Sequence, residues 1–385
     1  MNRTTGSYAL ITTADETVRA FVPLALPPAN PALSFADYMP LNRQAELALA
    51  RLAGVAGLVP SVDWLLYSAI RKEALLTSQI EGTQATLTDL FEEEAGFNVS
   101  NTDDVEEVSN YLRSFRWVQS QLRDPSGLPI SVRLLCEAHR LLLKGARGAN
   151  KQPGELRRSQ NWIGGTRPGN AVFVPAPPER VAELLADVEA FIHEGATELP
   201  PLVKVALIHA QFETIHPFLD GNGRIGRLLI SALFEHWQLL AEPLLYLSGY
   251  LKQNQSAYYR RLSAIRSEGD WESWISFFLE GVAMAAADAE QNIIAVASLI
   301  ASDRRRLLQS SKAGQASYRL FEMLPMMPRF TVDAVRQQLD TSFPTANAAV
   351  KLLAGLGIVT EMTGQKKNRS YGYQAYIELL TREFH

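Results

Sequence analysis

The sequence predicts a mainly α protein: a helical bundle interrupted by one β-hairpin, followed by a smaller helix-and-hairpin unit. Apolar residues recur at helical spacing through most of the chain, as Leu65, Leu66, Ile70, Ala74 and Thr77 do. Two β-prone runs flank a Gly/Pro/Asn turn between 154 and 175. From about residue 314 the spacing shortens and two strand-like runs appear near the end.

Taken in order, residues 1–30 read as extended chain, closing at Pro27-Pro28 and Pro31. Helices follow near 37–54, 61–81, 86–95, 104–122, 131–143, 179–194, 201–215, 223–239, 255–266 and 271–310. Gly82 is a natural stop for the second of them. The hairpin comprises 159–165 and 171–175. In the last segment, helices at 315–324, 332–339 and 345–356 precede a strand at 358–362, a turn at 364–369 and a return strand at 370–373. Three helices and a basic-tipped hairpin resemble a winged helix-turn-helix. The reading divides the chain into 1–100, 101–313 and 314–385.

Composition bounds the function. At 385 residues, 47% hydrophobic and 20% charged, the chain can hold two or three globular units. A single cysteine, Cys136, rules out an internal disulfide framework and fits a reducing cytoplasm; its neighbours Leu134, Leu135 and Ala138 predict a buried, inert thiol. Met1–Val22 lacks a signal-peptide layout, and no apolar run reaches membrane-spanning length, so a cytoplasmic protein is expected.

The chemistry concentrates in His216-Pro217-Phe218-Leu219-Asp220-Gly221-Asn222-Gly223-Arg224-Ile225-Gly226-Arg227. Pro217 ends the preceding helix, and Phe218 is expected to anchor the turn. The glycines permit a tight backbone, and the next helix begins with unpaired N–H groups facing it, which makes an anion site. Arg224 and Arg227 share a helix face. Cations in a first turn oppose the helix dipole at roughly 0.3–1 kcal/mol each, so an anion such as a polyphosphate should offset them. Asp220 beside phosphates suits Mg²⁺. His216 is a candidate base, with an ordinary pKa of about 6.5. The Walker A pattern is absent. Upstream, Thr77-Ser78-Gln79-Ile80-Glu81-Gly82 places Glu81 at a helix C-terminus, the negative dipole end, where it needs a cationic partner.

The twelve-residue run matches at every position the H-P-F-x-[DE]-G-N-G-R-x-x-R signature of the Fic family, which the chain therefore resembles. The resemblance implies AMP transfer from ATP to a protein hydroxyl. His216 would deprotonate the hydroxyl, Asp220 would hold Mg²⁺, and Gly221, Asn222 and Gly223, with Ile225 and Gly226 in the same turn, would form the phosphate site. Arg224 would support the phosphates and Arg227 would hold the γ-phosphate. The upstream run resembles the family's inhibitory helix, whose glutamate, here Glu81, would pair with Arg227 and block that phosphate. The hairpin would be the flap that docks a target protein, with Ile163 as a clamp, and Tyr259 would line the adenine pocket. A homodimer is also implied by the resemblance.

DNA is a possible partner of the last unit, but not the favoured one. Residues 314–385 carry eight basic and six acidic side chains, a net +2, and the expected recognition helix has only Lys351 among cations. Two alternatives to AMP transfer stay open: a nucleotide-sensing transcription regulator, and an enzyme removing AMP through the same pocket.

Overall fold

The computed structural model describes residues 3–145, 148–195, 198–364 and 369–382. Helices, 3₁₀ turns included, account for 62% of the described residues, so the mainly helical class holds.

The chain opens with an antiparallel hairpin, β1 (Gly6–Thr13) and β2 (Glu16–Pro23), where sequence reading gave only extended chain. Its two-residue turn, Ala14-Asp15, has both φ angles positive, which suits the twist of paired strands. It lacks the usual glycine, so the turn signal was weak. Eleven helices follow: α1 (Phe35–Val55), α2 (Val62–Ile80), α3 (Leu87–Glu94), α4 (Thr102–Arg123), α5 (Val132–Leu142), α6 (Pro178–His193), α7 (Pro201–Ile215), α8 (Asn222–His236), α9 (Ser248–Gln253), α10 (Gln255–Glu268) and α11 (Trp271–Leu308). The short α9 was not anticipated.

Helix α7 is apolar nearly all round and is buried on every side, as a central helix must be. Trp274 of α11 donates its indole N–H to the Ala206 carbonyl at 2.8 Å, fixing α11 across it. Helix α1 lies along α11. Helix α2 begins at Ser61, whose hydroxyl accepts from Asp63 N–H, and lies against α4, α8 and α9. It stops at Gly82, where φ is +100°.

The hairpin expected at 154–175 reverses as predicted but has no regular strands. Only Ile163 and Phe173 form a bridge, and a 3₁₀ turn occupies Pro168–Asn170. Gly164 and Gly165, both at positive φ, break the first run. Strand β2 supports the second: Phe21 N–H donates to Val174 O at 2.9 Å, and Val18, Ala20 and Val174 bury together.

The C-terminal segment contains α12 (Gln315–Met323), β3 (Arg329–Thr331), α13 (Val332–Leu339), α14 (Phe343–Gly355), β4 (Thr360–Glu361), β5 (Ser370–Gly372) and α15 (Gln374–Leu380). The three expected helices and the return hairpin are present. Strand β3 makes the sheet three-stranded, in the order β3-β5-β4, and α15 is an addition. Phe343-Pro344 opens α14 instead of preceding it, with proline at a first-turn position that needs no N–H. The hairpin tip with Lys366 and Lys367 lies outside the described residues. This segment rests on the helical bundle. Arg329 pairs with Glu92 at 2.7 Å, and buried Tyr373 donates to Asp303 at 2.8 Å.

Cys136 is only partly buried, since α5 turns it toward the molecule's edge. Burial and neighbouring Glu137 still push its thiol up to about 11, which keeps it unreactive. Among the described residues, no helix is long and apolar enough to cross a membrane.

Candidate active site

Helix α7 ends at Ile215, and His216 takes a left-handed conformation (φ 51°, ψ 62°) before Pro217. For a residue with a Cβ this costs about 1–2 kcal/mol, so the surroundings must impose it. Phe218 is fully buried and stacks on His139 with ring centroids 3.9 Å apart. The Asn222 side chain clasps Phe218 twice, accepting from its N–H and donating to its carbonyl, both at 2.8 Å. His139 accepts from Gly154 N–H through Nδ1 at 2.9 Å, which leaves Nε2–H to donate to the Asp220 carbonyl at 3.0 Å. Burial keeps that ring neutral by lowering it to about 4.

Gly221 turns into α8 at φ +76°, and as the capping residue it offers no side chain to the first N–H groups of α8, which have no partner within the helix. Since the Asn222 side chain is committed to Phe218, only its backbone is left for a ligand. Asp220 Oδ1 accepts from Gly221 N–H at 2.6 Å, and its carboxylate is partly exposed and 3.9 Å from Arg224. Ile225 is fully buried in the core. Gly226 lies under Glu213, Phe212 and His209, where a Cβ would stand 2.3 Å from Glu213 Oε1. Those two positions shape the turn from inside.

The arginines are buried, not solvated, and the protein itself supplies their counter-charges. Arg224 pairs with Glu107 of α4 at 3.0 Å, with both side chains only 2% exposed. Arg227 donates to Glu81 at 2.5 Å, to the Thr77 hydroxyl at 2.6 Å and to the Thr77 carbonyl at 3.1 Å. Glu81 Oε1 also covers Gly223, where a Cβ would lie 2.3 Å away. The Glu81 carboxylate thus rests on the N-terminus of α8. Burial would raise it, but the Arg227 charge and hydrogen bond, with Arg224 and His216, hold it below its ordinary value.

Burial pushes His216 down to about 4, and Arg157 adds to this; the Glu213 carbonyl and the Glu81 charge oppose it, and Arg266 lowers it further. The ring is therefore neutral at pH 7. Beside it, burial lifts the Glu213 carboxyl to about 7, against the Arg227 charge. Of the tyrosine pair, Tyr258 is buried with its hydroxyl 2.8 Å from His209 Nε2, whereas Tyr259 is 46% exposed with its ring next to Tyr258. Sequence reasoning assigned no role to Glu107, His139, Glu213 or Arg157. Glu107 sits among Asp103, Asp104 and Glu106, so nothing but its helical phase toward Tyr111 and Ser114 marked it as inward-facing.

Comparison with known proteins agrees with this arrangement. Residues 39–119 match the model described as Fic/DOC family N-terminal, and residues 129–234 match that described as Fic/DOC family. Protein adenylyltransferase Fic of Drosophila willistoni is 29% identical over 210 residues, covering 52% of this chain and 38% of that protein. The corresponding protein of Drosophila ananassae is 28% identical over 213 residues, 53% of this chain and 38% of its own length. The matched region is thus well under half of those curated relatives. Among solved structures, a Fic family protein from Desulfovibrio desulfuricans superposes with a TM-score of 0.57 at 21% identity, over 89% of this chain and 97% of that one. A Fic domain containing signaling protein from Bacteroides thetaiotaomicron does so with 0.52 at 18% identity, over 66% and 98%. At those identities the structures speak for the fold. The two family matches, at 39–119 and 129–234, take in α2, α7 and the His216–Arg227 turn, and on them this chain is a Fic/DOC family protein.

Proposed function

We propose that this chain is a protein adenylyltransferase held off by its own α2. The observation that carries the reading is the Glu81 carboxylate, seated on Gly223 and Arg227 at the N-terminus of α8. An anion of the protein already stands where a nucleotide phosphate would be held.

With Glu81 displaced, the first-turn N–H groups of α8 and Arg227 would bind the polyphosphate of ATP, and Arg224, held by Glu107, would support them from inside the bundle. Asp220 fits Mg²⁺: its Oδ1 is taken by Gly221, while the carboxylate stays partly exposed beside the phosphate site. Asp220 would then be a single protein ligand of an ion bound mostly by phosphate and water. When bound, the ion would neutralise phosphate charge. Neutral His216 would take the proton of a Ser, Thr or Tyr hydroxyl. The hydroxyl oxygen would then bond to the α-phosphorus as the bond to the bridging oxygen breaks, releasing pyrophosphate. Exposed Tyr259 would flank the adenine. The target would add along the outer edge of the flap, beside Ile163, whose own backbone is already paired with Phe173.

For the C-terminal segment, protein docking is favoured over DNA. Arg329 and Arg336 are already paired with Glu92 and Asp333, which reduces the positive charge free for phosphates.

Autolabelling with α-³²P-ATP and Mg²⁺ tests the reading. Label should rise in Glu81→Gly and vanish in Glu81→Gly/His216→Ala. ATP binding without label in any variant would overturn it in favour of a nucleotide sensor.

A further inference from the structure

Arg157 lies outside the twelve-residue run, just before the flap, yet its side chain is only 2% exposed. Its backbone N–H donates to the Pro217 carbonyl at 2.9 Å. Its Nε donates to the His216 carbonyl at 2.9 Å, and its Nη2 to the Ala176 carbonyl at 2.5 Å and the Ile215 carbonyl at 3.3 Å. One guanidinium therefore joins three places: the segment entering the flap, the segment leaving it, and the left-handed turn that carries His216. We infer that Arg157 is a positioning residue, fixing the His216 ring relative to both roots of the flap so that base and docked target are held as one body. The inference rests on the adenylyltransferase reading for its functional meaning, but not for its geometry.

Several observations separate this from an ordinary buried arginine. Its direct partners are carbonyls, two of them at the C-terminus of α7, where the dipole end is negative and lone pairs are free. A fork of donors is required to hold Ile215, His216 and Ala176 together, and a lysine ammonium cannot present the same planar spread. His216 needs such a hold because its backbone is left-handed without being glycine. The guanidinium also sets the charge around the ring. The groups acting on His216 are Arg157, Glu81 of α2, Arg266 of α10 and the Glu213 carbonyl of α7, and Arg157 exerts the largest effect after burial. Burial lowers Arg157 itself to about 10, so it remains charged at neutral pH.

The test uses the full chain with Arg157→Lys and Arg157→Met, each alone and in the Glu81→Gly background. The titration of the His216 ring is followed by NMR on histidine-labelled protein, with a His216→Gln control for assignment. In Arg157→Met the ring pKa should rise by roughly one unit as a neighbouring cation is lost. In Arg157→Lys it should stay low, because the charge is kept. Label transfer in the Glu81→Gly background should fall more than tenfold in kcat for Arg157→Lys, with KM for ATP unchanged, because the phosphate site is untouched. A wild-type titration in folded Arg157→Met, or full kcat in Arg157→Lys, would overturn the inference. Should Arg157→Met not fold, the kcat and KM of Arg157→Lys decide. If the Glu81→Gly parent itself transfers nothing, the adenylyltransferase reading fails, and the NMR titration still decides whether Arg157 governs His216.

Discussion

Arg224 and Arg227 stand one turn apart on α8, both 2% exposed, and each is held by a glutamate from another helix. The two pairs are nonetheless different devices. Glu107 is as buried as Arg224 and comes from α4, inside the bundle that builds the site. Glu81 is about a third exposed, comes from the last turn of α2, and is followed at once by Gly82 in a left-handed conformation. Water reaches one carboxylate and not the other. A sealed pair is scaffold, because opening it strands a charge in a dry interior. A pair open on one side can be exchanged for another anion. Two arginines that look alike in the sequence thus differ in their partners, one sealed inside the bundle and one that solvent reaches.

The sharpest way to break that contrast is Glu107→Ala. It removes the buried partner of Arg224 and leaves only the partly exposed Asp220 carboxylate at 3.9 Å, so stability by denaturant unfolding should fall by about 3–5 kcal/mol, with activity lost alongside. Glu81→Gly should do the opposite. Stability should change by only about 1 kcal/mol, since solvent can replace the carboxylate, while AMP transfer rises more than tenfold. A larger loss of stability in Glu81→Gly than in Glu107→Ala would erase the distinction. Thr77→Val comes next: it removes the hydroxyl that accepts from Arg227 at 2.6 Å but leaves Glu81 in place. Transfer should rise less than in Glu81→Gly, and an equal rise would show that Thr77, not Glu81, sets the restraint.

The smallest effect is that of pH. Glu81 is held below its ordinary value, so its pair with Arg227 is intact above the unfolded carboxylate range and is lost only as pH falls through the lowered value. Raising the pH should not release it. His216, lowered to about 4, becomes protonated in the same acid region, so acid release yields no active base. The ratio of Glu81→Gly to wild-type transfer should be flat from about pH 6 to 9. A steep change in that interval would point to a different titrating group, and Glu213, lifted to about 7, would be the first to examine.

Much of this was legible in the sequence, for identifiable reasons. Helices with a strong apolar stripe and a proline or glycine at their ends, such as α7 and α2, were read to within a few residues. The contact between Glu81 and Arg227 followed from motif resemblance, and the misplaced charge at a helix end supported it. The N-terminal hairpin was missed because Ala14-Asp15 reaches positive φ without a glycine to announce it. The flap was over-read as strands because alternation cannot show that Gly164 and Gly165 break the ladder. For Arg224 the counter-ion was expected from a ligand alone. Glu107 was invisible because burial of one acid among several depends on which face of α4 meets α8. Buried polar partners are a tertiary property, and local pattern carries little of it.

The Glu81–Arg227 contact closes a separation of 146 residues, and its direction along the chain matters. A ribosome makes α2 well before α8. The Glu81 carboxylate is therefore present from the moment the Gly221–Gly223 turn can first form, and no stage of synthesis from the N-terminus yields that turn without it. Under the proposed function, an open pocket can arise only afterwards, when something displaces or removes a helix that was already there.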